Sequence, residues 1–164
     1  MKKVEVISNK IFTLENLKKQ IASWRATGKT IAFTNGCFDI VHVGHIYSLQ
    51  KAASQADVLI VGLNSDDSVK RQGKSPERPI NKQLDRANIL ANFIMVDAVV
   101  IFDEDTPFDL ITNILPDVLV KGGDYTIDNI VGAKEVIANG GKVVINEIVE
   151  GYSTTGLIGK LAQS

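Results

Sequence analysis

The sequence predicts an α/β protein whose parallel, five-stranded sheet is covered by helices on both faces. Short apolar runs alternate along the chain with helical stretches of about 10 to 15 residues, which is the pattern of βαβ units. The runs are too short for helices, and their Val and Ile content indicates buried strands. The chain has 164 residues, which at roughly 100 to 200 residues per domain predicts a single domain.

The elements can be placed in order along the chain. A helix is expected at residues 14–26, with Thr13 as its N-cap, apolar side chains at helical spacing and Gly28 just beyond its end. Five buried strands are expected at residues 30–34, 57–63, 98–102, 118–120 and 142–145. Helices are expected at residues 44–55, 81–93, 107–115 and 129–139, with a last one after Ser153. The irregular stretch 72–80 contains Gly73, Pro76 and Pro79 and is expected to be a functional loop rather than a domain boundary.

The composition excludes several classes of protein. With 45% hydrophobic and 23% charged residues, the chain lacks the signature of disorder. Its longest apolar runs are far shorter than the roughly 20 residues that cross a bilayer, and its start lacks the apolar stretch of a signal peptide, so a cytoplasmic protein is expected. The single cysteine, Cys37, excludes an internal disulfide and a cysteine-cluster metal site. The 18 basic and 19 acidic residues argue against a general nucleic-acid binder.

The carboxyl ends of the strands are the places where parallel α/β sheets bind ligands. The first buried strand is followed by the segment Asn35–Asp39 and then by His42-x-Gly44-His45 at a predicted helix start, where free backbone N–H groups favour an anion. Gly44 would let a phosphate approach closely. Both histidines of the chain lie here, three residues apart, and could donate hydrogen bonds to oxygens that gain charge in a transition state. The alternative is a pair of surface or capping histidines.

The end of the second strand is polar, and a basic segment follows it. Asn64 and Asp66 could contact a hydroxyl-rich ligand, although an Asx turn in which Asp66 or Asp67 caps a short helix explains them equally well. Residues 70–86 then carry six Lys or Arg against two acidic side chains, a local charge of +4. This segment is either a solvated basic face or a loop whose lysines close over triphosphate oxygens.

Two later segments complete the candidate site. Lys121-Gly122-Gly123-Asp124-Tyr125 follows a predicted strand and would place a charge beside a backbone that a ligand can approach, unless it is an ordinary Gly-Gly turn. Gly151-Tyr152-Ser153-Thr154-Thr155 precedes the last helix, where hydroxyls act as caps and can also bind phosphate.

Sequence motifs for other nucleotide and hydrolase chemistries are absent. There is no G-x-x-x-x-G-K-[ST] loop, no G-x-G-x-x-G fingerprint and no G-x-S-x-G elbow. A positioned protein nucleophile is unnecessary if the substrate brings its own phosphate, since that group has a second pKa of about 6 and is mostly dianionic near neutral pH. The protein then needs only to align the reactants and to stabilise charge.

With these motifs in place, the chain resembles the H-x-G-H nucleotidyltransferase superfamily, the cytidylyltransferase-like branch of Rossmann-like three-layer sandwiches. The segments GCFDIVHVGH, RPINKQLDRANIL, PDVLVKGGDY and GYSTTGLI are most similar to the adenylyltransferase half of bifunctional heptose-phosphate enzymes. The resemblance implies transfer of AMP from ATP to D-glycero-D-manno-heptose 1-phosphate, giving ADP-heptose and pyrophosphate for lipopolysaccharide core biosynthesis. It implies in-line attack without a covalent enzyme intermediate, and Mg²⁺ carried by the triphosphate rather than by a ligand cluster.

The resemblance also implies roles for individual residues. Catalytic roles fall to His42, His45, Lys74 and Arg86. Nucleotide contacts, in addition to both histidines, fall to Gly36, Cys37, Phe38, Gly44, Lys121, Gly122, Ser153, Thr154 and Thr155. Contacts to the acceptor fall to Asp39, Asn64, Asp66, Lys70 and Asp124.

Domain limits, partners and alternatives follow from the same resemblance. Residues 1–29 are expected to form a helical extension packed on a nucleotidyltransferase domain at residues 30–164. A separate sugar kinase is expected upstream, and a homodimer is one candidate assembly, for which Phe93 and Ile94 offer apolar surface. Two alternatives stay open: a glycerol-3-phosphate-type cytidylyltransferase that uses CTP, and a nucleotide-binding module without turnover. Ile148, where those cytidylyltransferases carry an arginine, favours the heptose branch.

Overall fold

One parallel sheet organises the structure, a computed structural model that describes residues 8–73, 77–123 and 125–147. Within these residues the sheet has six strands, in the order β1-β4-β3-β2-β5-β6. The strands are β1 Ile11–Phe12, β2 Ile31–Gly36, β3 Val58–Asn64, β4 Ala98–Phe102, β5 Val118–Gly122 and β6 Lys142–Asn146. The five predicted strands correspond to β2 through β6, and the parallel Rossmann-like arrangement is confirmed.

The prediction of a five-stranded sheet was wrong by one edge strand. The additional strand, β1, has two residues, and Ile11 and Phe12 pair with Val99 and Val100 of β4. A two-residue strand leaves no apolar run or alternation in the sequence, since its position depends on a neighbour almost 90 residues away. The segment before the first helix therefore extends the sheet.

The helices follow the predicted order. They are α1 Leu14–Ala26, α2 Val43–Ala53, α3 Asp66–Arg71, α4 Gln83–Ala91, α5 Phe108–Ile114 and α6 Ala133–Ala138. The short helix α3 begins after Ser65, whose hydroxyl accepts a hydrogen bond from the Ser68 N–H at 3.0 Å. Helix α6 is shorter than expected because Gly132 has a φ of +80°, which a helix does not accommodate. The helix predicted after Ser153 lies outside the described residues.

Two apolar clusters cover the two faces of the sheet and form the outer interfaces of a three-layer sandwich. Ile31 and Phe33 of β2 face one cluster, with α1, α5 and α6, whereas Ala32 faces the other, with α2 and α4. Buried apolar residues thus line both sides of each central strand, as the continuous Val and Ile runs predict. None of the described helices is long and apolar enough to cross a bilayer.

The N-terminal segment is tied to the sandwich by two basic side chains. Lys10 Nζ donates to the Val96 carbonyl at 2.7 Å, just after α4, and Arg25 Nη2 donates to the Leu115 carbonyl at 2.6 Å, just after α5. The Leu115 carbonyl lies at the C-terminal end of α5, where a cation satisfies a carbonyl and interacts favourably with the negative end of the helix dipole, whereas Val96 lies beyond the end of α4. The segment therefore contributes a strand, a helix and one helix cap to the sandwich, while a domain limit at residue 29 stays a prediction.

Candidate active site

A crevice opens where the strand order reverses. The chain runs outward from β2 through β3 to β4 on one side and from β5 to β6 on the other, so β2 and β5 flank the switch point at which such sheets bind ligands. The β2–β5 pairing ends at Phe33 and Leu119, whereas β2 stays paired with β3 as far as Gly36. The last residues of β2 and β5 therefore border an opening. Lys121 Nζ crosses it and donates to Asn35 Oδ1 at 2.9 Å.

A cleft of about 380 Å³ lies at these strand ends, a volume within the range of small-molecule sites. The carboxyl ends of β2, β3 and β5 contribute to it, and so does the loop after β4. The lining residues are Asn35, Gly36, Cys37, Asn64, Gln72, Asp105, Thr106, Pro107, Lys121, Gly122, Tyr125, Asn129, Ile130 and Val131. The Lys121 ammonium also lies 5.6 Å from the centre of the Tyr125 ring.

The two histidines form a stacked pair at the start of α2. His42 is the N-cap, and its ring lies 3.9 Å from that of His45, centroid to centroid, at an interplanar angle of 29°. The backbone N–H of His42 donates to His45 Nδ1 at 3.4 Å. Because Nδ1 accepts, the proton of a neutral His45 is assigned to Nε2, which is then a hydrogen-bond donor. The motif thus combines ring donors with the open N–H groups of a helix start.

Both histidines are neutral in the free protein near neutral pH. Burial lowers the pKa of His45 to about 4, helped by the charges of His42 and Arg78. Burial also lowers the pKa of His42. An incoming phosphate would reverse the charge environment, because a nearby anion favours the protonated imidazole. Burial therefore favours the uncharged form of both rings, and a bound anion would favour the charged form.

Phe38 shapes the turn that leads to the histidines. It has a φ of +45°, a left-handed conformation that costs a bulky residue of order 1–3 kcal/mol. Its ring is buried and lies 5.3 Å from the His45 ring. A Cβ at Gly36 would lie 3.0 Å from this ring, so a side chain there would require the ring to shift by a few tenths of an ångström. Packing beneath His45 holds the strained turn in place.

A buried ion pair fixes the same turn from the other side. Asp39 is fully buried, and its Oδ2 accepts from Arg78 Nε at 3.2 Å and from the Ile80 N–H at 3.0 Å, while Oδ1 accepts from the Asn81 N–H at 2.9 Å. These contacts occupy both carboxylate oxygens. They suit Asp39 to holding the residues before α4 against the histidine turn, as a positioning residue.

Arg86 lies beneath the site and does not line the cleft. Its side chain is fully buried and donates to the carbonyls of Asn81, Cys37 and Asn64 at 2.6–3.0 Å and to Asp66 Oδ1 at 2.8 Å. It therefore joins the ends of β2 and β3 to the start of α4. Asp66 is held in this network, whereas Asn64 reaches the cleft.

Most of the described cations in the basic segment are held in ion pairs. Lys70 Nζ lies 3.0 Å from Asp67 Oδ1 and outside the cleft. Arg71 Nε lies 2.6 Å from Asp105 Oδ1, and its Nη2 also contacts the Asp103 carbonyl. The Lys70 pair lies within α3, whereas the Arg71 contacts attach α3 to the loop after β4. Lys74, Asp124, Ser153, Thr154 and Thr155 lie outside the described residues.

Sequence reasoning missed four polar residues of the cleft: Gln72, Asp105, Thr106 and Asn129. A signal existed for Thr106, because Asp103–Pro107 follows a predicted strand and the carboxyl end of each strand is a candidate ligand position. Gln72 and Asn129 could not be placed by spacing, since both follow helical turns. Among the described residues, no group of three or more His, Cys, Asp or Glu side chains is placed to hold a metal ion.

Comparison with known proteins connects this geometry to a family. The family model described as cytidylyltransferase-like matches residues 33–160. A bifunctional protein HldE from Mesorhizobium japonicum is 54% identical over 151 residues, which is 92% of this chain and 30% of that protein. One from Hyphomonas neptunium is 55% identical over 141 residues, 86% of this chain and 29% of that protein. The chain therefore spans about 30% of the length of these curated relatives.

Two solved structures share the architecture. The lipopolysaccharide core biosynthesis protein from Thermoplasma volcanium matches with a TM-score of 0.61 at 25% identity, over 77% of this chain and 100% of that chain. Pantoate-beta-alanine ligase from Francisella tularensis matches with a TM-score of 0.53 at 17% identity, over 79% of this chain and 64% of that one, which shows a shared fold.

Proposed function

The chain belongs to the cytidylyltransferase-like family and is a nucleotidyltransferase by family, and on this premise we propose that it transfers AMP from ATP to D-glycero-D-manno-heptose 1-phosphate. The products are ADP-heptose, for lipopolysaccharide core biosynthesis, and pyrophosphate. The observation that carries the proposal is the stacked His42–His45 pair at the start of α2, next to a cleft at the switch point of the sheet. The similarity to bifunctional HldE proteins supports the choice of nucleotide and acceptor.

The reaction is a single in-line displacement. A phosphate oxygen of the acceptor attacks the α-phosphorus of ATP, a new phosphorus–oxygen bond forms, and the bond to the β-phosphate oxygen breaks. Pyrophosphate leaves with the bonding electron pair. Because the acceptor phosphate is mostly dianionic near neutral pH, no protein group has to remove a proton from it. Catalysis then consists of alignment and charge stabilisation.

The histidines supply the charge stabilisation. The Nε2–H of His45 is a donor to phosphate oxygens that gain charge as the bond to pyrophosphate breaks, and the N–H groups at the start of α2 add to it. Gly44, on the first turn of the helix, leaves room for the phosphate. We propose that Lys74 and Ser153, Thr154 and Thr155 complete the triphosphate site.

Mg²⁺ belongs to the substrate in this proposal. It enters as MgATP, with the phosphate oxygens as its ligands, and neutralises charge on the triphosphate and on the departing pyrophosphate. A kinase activity, in the same polypeptide or in another, must supply the sugar 1-phosphate.

The proposed function is tested by a substrate matrix. Pyrophosphate release is measured with ATP or CTP, each against heptose 1-phosphate and glycerol 3-phosphate, in the presence of Mg²⁺. The pair of ATP and heptose 1-phosphate is expected to give the highest kcat/KM. A best pair of CTP and glycerol 3-phosphate would identify a cytidylyltransferase instead. Tight ATP binding without pyrophosphate release from any pair would indicate a module without turnover.

A further inference from the structure

The cleft at the switch point differs from the histidine turn in its charge. Among the described residues of its lining, the charged side chains are Lys121 and Asp105, and Asp105 is engaged by Arg71 Nε at 2.6 Å. A triphosphate is normally surrounded by several cations and helix-start N–H groups. A single phosphate of charge about −1.5 to −2 is a better match for one lysine.

The rest of the polar lining is uncharged and can both donate and accept hydrogen bonds. Gln72 Oε1 accepts from the Cys37 thiol at 3.2 Å, which fixes the orientation of this amide. Within residues 8–73, 77–123 and 125–147, the Gln72 amide nitrogen, the Thr106 hydroxyl and the Asn129 side-chain amide have no hydrogen-bond partner. Amides and hydroxyls of this kind are suited to sugar hydroxyls, each of which is itself a donor and an acceptor.

The lysine and the uncharged polar residues of the cleft come from different elements of the fold. Lys121 comes from the end of β5 and is held beside the end of β2 by its 2.9 Å bond to Asn35. Gln72 follows α3, and Thr106 lies in the loop after β4; the Arg71–Asp105 pair joins these two segments. Gln72 and Thr106 are the chain neighbours of Arg71 and Asp105. The Arg71–Asp105 ion pair therefore holds Gln72 and Thr106 at a defined distance from each other.

We propose that this cleft binds the sugar-phosphate acceptor and that Lys121 is directed to the acceptor phosphate, instead of the nucleotide contact that the family resemblance implies for it. Gln72, Thr106 and Asn129 bind the sugar hydroxyls, while MgATP occupies the histidine turn. The inference rests on the proposed function and divides its active site into two regions. Cys37 is a positioning residue in this arrangement, since it touches the Gln72 amide. Its neighbour Phe38 packs against His45, so the two regions meet at residues 37 and 38.

The division is tested by steady-state kinetics in which ATP and heptose 1-phosphate are varied separately. Thr106→Val and Gln72→Leu remove one neutral hydrogen-bonding group each and should raise the acceptor KM by roughly 3- to 10-fold, with the ATP KM unchanged. Matched substitutions outside the cleft, Thr112→Val and Gln50→Leu, should change neither constant. The unchanged ATP KM also reports that each cleft variant is folded.

Substitution of Lys121 should raise the acceptor KM more than the two neutral substitutions do. Lys121→Gln removes a charged partner and should raise the acceptor KM by roughly 10- to 100-fold. If the cleft variants raise the ATP KM, or leave the acceptor KM within twofold of the wild-type value, the assignment of the cleft is wrong. If the wild-type protein turns over none of the nucleotide and acceptor pairs, the proposed function fails, and the inference fails with it. The two failures are distinguished by the wild-type activity.

Discussion

His45 shows how a residue at this site acquires its chemistry from its neighbours. Its ring lies between the His42 ring and the buried Phe38 ring, and its Nδ1 is occupied by the His42 N–H. These contacts fix both the orientation of the ring and the nitrogen that carries the proton. The H-x-G-H spacing alone predicts two histidines near a phosphate, but it cannot show that they stack or that burial makes them neutral.

Replacing His45 should remove a donor that acts on the transition state. His45→Asn is expected to lower kcat by roughly 10²- to 10³-fold, by analogy with loss of one oxyanion-hole donor. Gln50→Ala, an exposed position on the same helix, serves as the control and should retain the wild-type kcat. The measurement is pyrophosphate release at saturating ATP and acceptor. An unchanged kcat in His45→Asn would show that the reacting phosphate lies elsewhere.

The lowered pKa of His45 should make the folded protein less stable in mild acid. In the unfolded chain the group has a pKa of about 6.5, whereas in the folded protein the pKa is about 4. Between these values the unfolded chain binds a proton that the folded protein does not. The stabilisation is therefore complete above pH 6.5 and is lost as the pH falls toward 4.

Urea unfolding at pH 5, 6 and 7 measures this effect. The free energy of unfolding should fall more steeply with decreasing pH in the wild type than in His45→Asn, by less than about 1.4 kcal/mol per pH unit, which is the limit for one proton. Gln50→Ala should follow the wild type. Parallel pH curves for wild type and His45→Asn would contradict the assignment of a neutral, buried imidazole.

At the scale of elements, the apolar runs of the sequence predict the long strands of the sheet well. The sequence pattern predicts poorly what a buried polar side chain contacts. Strands β2 through β6 are continuous apolar segments, so their burial on both faces is visible in composition. Strand β1 is too short to leave such a signal. Helical spacing places Arg86 on the same face of α4 as Leu90, but periodicity cannot distinguish a side chain that faces a ligand from one that binds neighbouring carbonyls.

The Arg86 network should contribute far more to the free energy of unfolding than an exposed ion pair does. Arg86→Met leaves the carbonyls of Cys37 and Asn64 and the Asp66 carboxylate without their donor, and we expect a loss of about 3–5 kcal/mol in the free energy of unfolding. Arg71→Met breaks an ion pair that is largely exposed to solvent and should cost far less. Urea unfolding of both variants at pH 7 makes the comparison. Equal losses would show that Arg86 does not hold the strand ends together.

At the scale of the whole molecule, the basic run in the sequence does not form a basic surface of unpaired cations among the described residues, because most of its described cations pair with carboxylates from other parts of the chain. Residues 70–86 carry a net charge of +4, which suggests a basic surface for a triphosphate. In the structure, Lys70, Arg71, Arg78 and Arg86 each pair with a carboxylate from outside that segment. These cations hold the segment to α3, to the loop after β4 and to the histidine turn. A one-dimensional charge count cannot show this, because the acidic partners are dispersed along the chain.

The central claim is that the AMP part of ATP moves to the acceptor, and label transfer tests it most directly. The protein is incubated with heptose 1-phosphate, Mg²⁺ and ATP that is radiolabelled at the α-phosphate in one reaction and at the γ-phosphate in another. The α-label is expected in ADP-heptose and the γ-label in pyrophosphate. A γ-label on the sugar, or no transfer of α-label to any acceptor of the substrate matrix, would contradict the account.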